Sequence, residues 1–292
     1  MSDNEIVAKL KERLAKNSIK DKDSYDHELR EITQELVMMG LSKTGFFDIA
    51  TFHGGTSLRM IHRIDRYSED LDFSLDKVNS EFKWKPYLEK VREFVGEYGC
   101  FLEIKDNSNN KNNVKKAFIK DSSIDQMMEM SWMRKSGSAE KVHVKLELDA
   151  NPPLYSVNEI KKYDFPVEYN IKVHDLSSLF AGKCHALLCR GFNKGRDWFD
   201  LEWFVNKGVE PNYKYLDEML DQRGPWKGLH IKSDKNWVSN EIINEGDKVK
   251  FDDINKDIRN FTNSKYVLIL DKNKIFEIIN TFKNENYGNN IN

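Results

Sequence analysis

The stretch from Phe52 to Leu75, FHGGTSLRMIHRIDRYSEDLDFSL, places the tightest limits on what this chain can build. It joins a glycine pair and a hydroxyl (Gly54, Gly55, Thr56), a short apolar segment, a basic turn (Arg63, Arg66) and two carboxylates one residue apart, Asp70 and Asp72. Glycine lets the backbone approach a phosphate closely, and the amides that open the next helix face an anion. Residues i and i+2 of a strand share a face, so Asp70 and Asp72 can address the same metal ions. This combination suits phosphoryl or nucleotidyl transfer.

The 292 residues allow two modest domains, and 39% hydrophobic with 32% charged residues describes an ordinary soluble composition. A formal charge of -2 supplies no general basic field, so any nucleic-acid partner must be met by a local patch. The polar N-terminus, MSDNEIVAKLKERLAKNS, does not read as a signal peptide, and no apolar run reaches the roughly 18 residues of a membrane span; a cytoplasmic protein with no membrane partner is expected. Cys100, Cys184 and Cys189 show neither a disulfide framework nor zinc-site spacing, which leaves them as reduced packing residues.

Apolar spacing predicts helices over 5–14 and 25–39, the second carrying Leu29, Ile32, Leu36 and Met39 at helical intervals. A buried strand is read over 46–52, running into the glycine pair, then a short helix over 57–62 and a strand over 71–75. A helix over 85–98 and a strand over 101–104 follow, and the Asn- and Lys-rich 106–116 reads as an exposed hairpin tip or loop. A strand is read at 127–133, with a helix as the alternative. The clearest strand is 142–149, with Val142, Val144, Leu146 and Leu148 on one face and His143, Lys145, Glu147 and Asp149 on the other. Asn151-Pro152-Pro153 reads as the close of the main sheet region. A further strand at 169–173 precedes helices over 176–190, capped by Asp175 or Ser177, then 198–206, 213–222 and 272–282, with 227–256 unassigned. The expected class is α+β, a small mixed sheet followed by a mostly helical half.

Two-metal transfer needs carboxylates that hold ions against both the attacking oxygen and the triphosphate, and a third acid often joins from a neighbouring strand. Glu147 is the candidate, with Asp149 next on the same face. An ordinary exposed acid is the alternative for either. The lysines at 105, 111, 115, 116 and 120 form the one basic cluster of the N-terminal half, an RNA-contacting patch or a solvated loop. Trp198, Phe199, Trp203 and Phe204 read as helix-packing core rather than base-stacking residues.

Four blocks in order, GGTSL, RYSEDLDFSL, FAGKCHALLCR and KGRDWFDL, resemble the AbiEii/AbiGii toxin family of nucleotidyltransferases, which includes the MenT toxins, over about residues 47–204. The resemblance implies a DNA polymerase β-like nucleotidyltransferase fold, with a nucleotidyltransferase domain over 1–170 and a helical C-terminal domain over 171–292 that completes the active-site cleft. It implies transfer of a nucleotide from an NTP, dependent on Mg²⁺ or Mn²⁺, to an RNA acceptor such as a tRNA 3′ end. Growth arrest, a role in abortive infection and phage defence, and a separately encoded antitoxin that need not bind the toxin are expected with it. Carried onto this chain, Gly54, Gly55, Thr56 and Ser57 match the triphosphate loop, and Ser68 sits in the RxSxDxD turn. Asp70 and Asp72 match the metal-binding acids, joined less closely by Glu147. Lys183 matches the helical lysine, with Arg190 beyond it, and Asp197 matches the distal catalytic acid.

The residues themselves leave alternatives open. Lys183 lies near an apolar helical stripe, where it meets either a nucleotide phosphate or a core acid. Asp197 and Asp200 have the spacing of an N-cap followed by an acid at N3, a role compatible with presenting an oxygen to a cleft. Two other activities fit the same residues: transfer to a protein or small-molecule hydroxyl, and nucleotide or RNA binding without turnover.

Overall fold

The computed structural model describes residues 3–16, 22–108, 112–121, 142–192, 194–262 and 268–284. The strand read at 127–133 and Lys111 lie outside them. The chain forms two compact units, one of residues 1–61, 68–152 and 160–173, the other of residues 62–67, 153–159 and 174–292.

The first unit opens with two helices, α1 (Asp3–Lys16) and α2 (Lys22–Ser42). The predicted strand over 46–52 resolves into two elements. Gly45, at φ +76°, turns the chain into a single 3-10 turn at Phe46–Asp48, and only Ala50–His53 is extended as β1. The glycine pair is not a loop ahead of the next helix either. It forms the first turn of α3 (Gly54–His62).

Then come β2 (Asp70–Leu75), α4 (Lys85–Gly96) and the hairpin β3 (Leu102–Asp106) and β4 (Val114–Asp121). Lys115 and Lys116, expected in the loop, are the second and third residues of β4 because Val114, Ala117 and Ile119 draw them into the ladder. β5 (Val142–Asp149) has the predicted bounds. Pro152 and Pro153 do not close the sheet, since β6 (Asn158–Tyr163) and β7 (Tyr169–His174) extend it from the other side. β6 is a polar edge strand, NEIKKY, whose exposure removes the alternation by which a half-buried strand is read.

The described strands form one mixed sheet in the order β3-β4-β5-β2-β1-β7-β6. β2 runs antiparallel to β1 and parallel to β5, and β4 is antiparallel to both β3 and β5. One face carries Leu71, Phe73, Ala117, Ile119, Val144, Leu146 and Leu148, all buried, and α2 and α4 pack against the sheet at β5 and β3. The core centres on Phe46, stacked on Trp84 at 5.3 Å and edge-on to Phe73 at 5.0 Å. The buried indole of Trp84 donates to the Lys115 carbonyl at 3.0 Å, so its polar atom is satisfied.

The second unit is built from α5 (Leu176–Cys189), α6 (Gly195–Asn206), α7 (Tyr213–Gln222), α8 (Lys235–Gly246), α9 (Phe251–Phe261) and α10 (Lys272–Asn284). Asp175 is the cap of α5, accepting from the Ser178 amide at 2.8 Å. α8 and α9 occupy the unassigned interval with few apolar anchors, Val238 and Ile242 on one and Ile254 and Ile258 on the other. Trp198, Phe199 and Phe204 are buried, and Phe204 stacks on Phe180 at 4.6 Å, the packing role expected of them. The three cysteines are free, with Cys100 and Cys184 buried. No helix among the described residues is long and apolar enough to cross a membrane.

Candidate active site

In the first unit, β1 delivers the chain to Gly54, which sits at φ +77° as α3 begins. A Cβ on Gly54 would overlap Asp72 Oδ2 and lie 3.0 Å from Asp72 Cβ. The carboxylate of Asp72 therefore rests on the opening turn of α3, where the amide-rich end of a helix favours negative charge. His53 on β1 and Glu147 on β5 are the register partners of Asp72 on either side.

The Thr56 hydroxyl donates to the Asp70 carbonyl, and the Ser57 hydroxyl donates to the Gly54 carbonyl at 2.8 Å. Both side chains are fully buried. They pin β2 to α3 and shape the turn, so neither hydroxyl is turned outward. The backbone of Ser68 is fixed in a similar way. Buried Gln34 donates from Nε2 to the carbonyls of Ser68, at 3.1 Å, and Glu69, at 2.9 Å.

Asp70 and Asp72 alternate with buried Leu71 and Phe73, which places both acids on the other face of the sheet. Glu147 shares that face but is held by two lysines, Lys145 at 2.8 Å and Lys116 at 2.9 Å. Burial works against its charged form, yet the hydrogen bonds from these lysines outweigh it and hold the carboxyl below its usual range. Lys145 also lies 3.8 Å from Asp70, and its acidic neighbours raise its pKa despite burial. Among the described residues no three His, Cys, Asp or Glu side chains gather tightly enough to hold a metal by themselves. Glu147, expected to join the metal acids, is paired with Lys145 and Lys116. The donor set still fits a hard divalent ion, because Mg²⁺ is commonly held by one or two carboxylates with water and substrate phosphate filling its other positions.

The second unit carries a cluster of three cations and two carboxylates. Lys183 on α5 lies 3.1 Å from Asp197 Oδ1 and 2.7 Å from Asp200 Oδ2. Arg190, the residue that ends α5, donates to Asp197 Oδ2 at 2.5 Å. Arg66 Nε and Nη2 each donate to Asp200 at 2.6 Å, with both side chains removed from solvent. Asp197 is not an N-cap. Lys194 takes that position, and the Asp197 carboxylate turns to Lys183 and Arg190. Burial opposes its ionisation, but those two cations outweigh burial and hold it charged, below the ordinary carboxylate range.

Arg66 and Asp200 are legible in the sequence only as part of a basic turn and as a helix-terminal acid, not as partners of each other or of Lys183. Their signal was present: Asp200 is one helical turn from Asp197, and an arginine beside an apolar segment needs a buried acid.

The family model for the nucleotidyl transferase AbiEii toxin of type IV toxin–antitoxin systems matches residues 36–272. No curated protein matches the chain. Among solved structures, the mycobacterial toxin MenT4 of Mycobacterium tuberculosis, a nucleotidyltransferase, superposes with a TM-score of 0.55 and 16% identity, over 94% of this chain and 90% of its own. JHP933 from Helicobacter pylori gives a TM-score of 0.51 and 16% identity, over 88% and 90%. A second H. pylori structure, described as a candidate nucleotidyltransferase, gives 0.53 and 17%, over 90% and 95%. These likenesses establish a nucleotidyltransferase-like fold.

Proposed function

The chain belongs to the AbiEii family of nucleotidyltransferase toxins of type IV toxin–antitoxin systems, and from that premise we propose that it transfers a nucleotide from an NTP to an RNA hydroxyl, a tRNA 3′ end being the expected acceptor. One observation carries the reading: Asp70 and Asp72 share a face of β2, with Asp72 against the side-chain-free start of α3.

In this reading Asp70 and Asp72 hold the divalent ion, Mg²⁺ or Mn²⁺, with Glu147 beside them fixing Lys145. A bound ion supplies positive charge to the triphosphate and to the attacking oxygen. The backbone amides of Gly54 and Gly55 face the phosphates, and the hydroxyls of Thr56 and Ser57 keep that turn in shape. Lys183 and Arg190 neutralise charge that builds on the phosphates, and Asp197 keeps both cations in place. The acceptor oxygen bonds to the α-phosphorus, its proton leaves, and pyrophosphate departs. Growth arrest follows in the producing cell, as in abortive infection on phage attack, and is relieved by an antitoxin encoded separately.

Incubation of the full chain with each labelled NTP, divalent ion and total cell extract tests the reading. Label is expected to run with RNA. Label on protein or on a small metabolite would move the acceptor to another hydroxyl, and nucleotide binding with no transfer to anything would contradict the enzymatic reading.

A further inference from the structure

The lysines of residues 105–120 were legible as a cluster but not as a surface. The strand register sorts them. Lys115 is buried on the core side of β4, whereas Lys116, Phe118 and Lys120 alternate onto the face that bears Asp70 and Asp72. Lys105 on β3 lies directly opposite Phe118, and Phe118 lies opposite Lys145 on β5, which is in turn opposite Asp70 on β2. Four adjacent strands thus present a row of lysine, aromatic ring, lysine and carboxylate that leads straight to the candidate metal acids. At the usual strand spacing the row is roughly 14 Å long. Next to it, Lys120 lies opposite His143 on β5 and Glu103 on β3.

We propose that this face of the β3-β4-β5 sheet binds the single-stranded 3′ end of the acceptor RNA, with Lys105 and Lys120 on its phosphates and a base stacked on Phe118. The proposal rests on the transfer reading above and adds where the acceptor lies. Charge complementarity points to RNA as the occupant. Among the described residues the face carries Lys105, Lys116, Lys120 and Lys145, with His143, against Glu103, Glu147 and Asp149, on a chain whose formal charge is -2. Glu147 and Asp149 gather on β5, while Lys105 and Lys120 lie on β3 and β4, away from the metal acids. Glu147 already occupies Lys116 and Lys145, so phosphate contact falls to Lys105 and Lys120. A ring set among cations on a pleated sheet is the arrangement by which single strands are read through stacking and backbone charge together. Its position also has a chemical consequence. A strand lying along the row has its terminal hydroxyl at Asp70 and Asp72.

Fluorescence anisotropy of the full chain with a fluorescein-labelled single-stranded RNA tests this, alongside affinity for a fluorescent NTP analogue. The paired substitution Lys105→Glu with Lys120→Glu is expected to weaken RNA binding tenfold or more and to flatten the salt dependence by about 1.4 in log–log slope. Phe118→Ala is expected to weaken binding about fivefold or more with the slope kept. Glu103→Gln removes a negative charge beside Lys120 and is expected to tighten binding, a gain that misfolding cannot imitate. NTP affinity stays unchanged in all three. RNA affinities equal to wild type in the charge and ring variants, while wild type labels RNA, would overturn this placement alone. A wild-type chain that neither binds nor labels RNA would overturn the transfer reading beneath it.

Discussion

Gly54 has no room for a side chain because the carboxylate of Asp72 occupies the space that a Cβ would need. Its φ of +77° adds a backbone reason for glycine. Gly54→Ala is therefore expected to displace the acid it touches and to cost about 1–3 kcal/mol of stability. Transfer activity should fall by at least about a hundredfold, while circular dichroism retains the native helix and strand content. Activity within a few-fold of wild type would show that Asp72 does not depend on this contact.

Arg66 and Asp200 form the most buried ion pair in the described chain that also touches a candidate site lysine. Arg66→Met leaves Asp200 with Lys183 alone, and losing one partner of such a pair costs about 3–5 kcal/mol. Urea denaturation should register that loss. Joining Asp200→Leu to it should recover much of the stability. Transfer stays impaired in the double variant, because Lys183 has lost one of its two carboxylates.

Glu147 divides the sequence expectation from the structure. As a metal ligand, its replacement would raise the Mg²⁺ concentration needed for activity. Its pairing with Lys116 and Lys145, the latter facing Asp70, supports the other reading, in which it acts by holding Lys145. Glu147→Gln is expected to lower transfer by about tenfold through a higher KM for NTP, with the Mg²⁺ midpoint unmoved. A large shift in that midpoint would restore Glu147 to the metal.

Two buried carboxylates give opposite pH responses. Glu35 on α2 is bound to Arg13 and accepts from the Tyr163 hydroxyl, yet burial prevails and pushes its pKa up to about 7. Between the ordinary carboxylate range and that value the folded chain keeps a proton that the unfolded chain has released. The stability this group contributes is thus full in acid and lost as pH rises through about 7. The urea midpoint of Glu35→Gln relative to wild type should accordingly improve between about pH 5.5 and about pH 8. Asp197 runs the other way. Burial disfavours its charge, but Lys183 and Arg190 lower its pKa, so its contribution is present at neutral pH and lost as pH falls through its depressed folded-state value.

What could be read in advance follows from periodicity and motif order. β5 and α7 were legible to the residue because alternation and caps agree there. The pairing of Asp70 with Asp72 on one face follows from strand geometry alone. β6 was invisible because a polar edge strand lacks the buried alternation that marks a strand. At residues 46–48 the aromatic run favoured extension, but Gly45 turned the chain first. Of the two anions open to Lys183, a nucleotide phosphate or a core acid, the structure shows the acid, with two carboxylates in contact. That Asp197 bonds cations rather than its helix terminus depends on the packing of α5 against α6, which local spacing does not encode. Thr56 and Ser57 were placed at the triphosphate by their motif. Only the fold shows their hydroxyls bonded inside it.

In the proposed mechanism Asp70 and Asp72 hold the ion that drives nucleotide transfer. Asp72→Asn keeps the volume beside Gly54 and removes the charge. The most direct measurement compares this variant with wild type for divalent-ion-dependent transfer of labelled nucleotide into cellular RNA, scored together with growth after induction. Loss of transfer by at least about a thousandfold, with normal growth and an unchanged melting curve, is the predicted result. Transfer and growth arrest that persist in the variant would contradict the account.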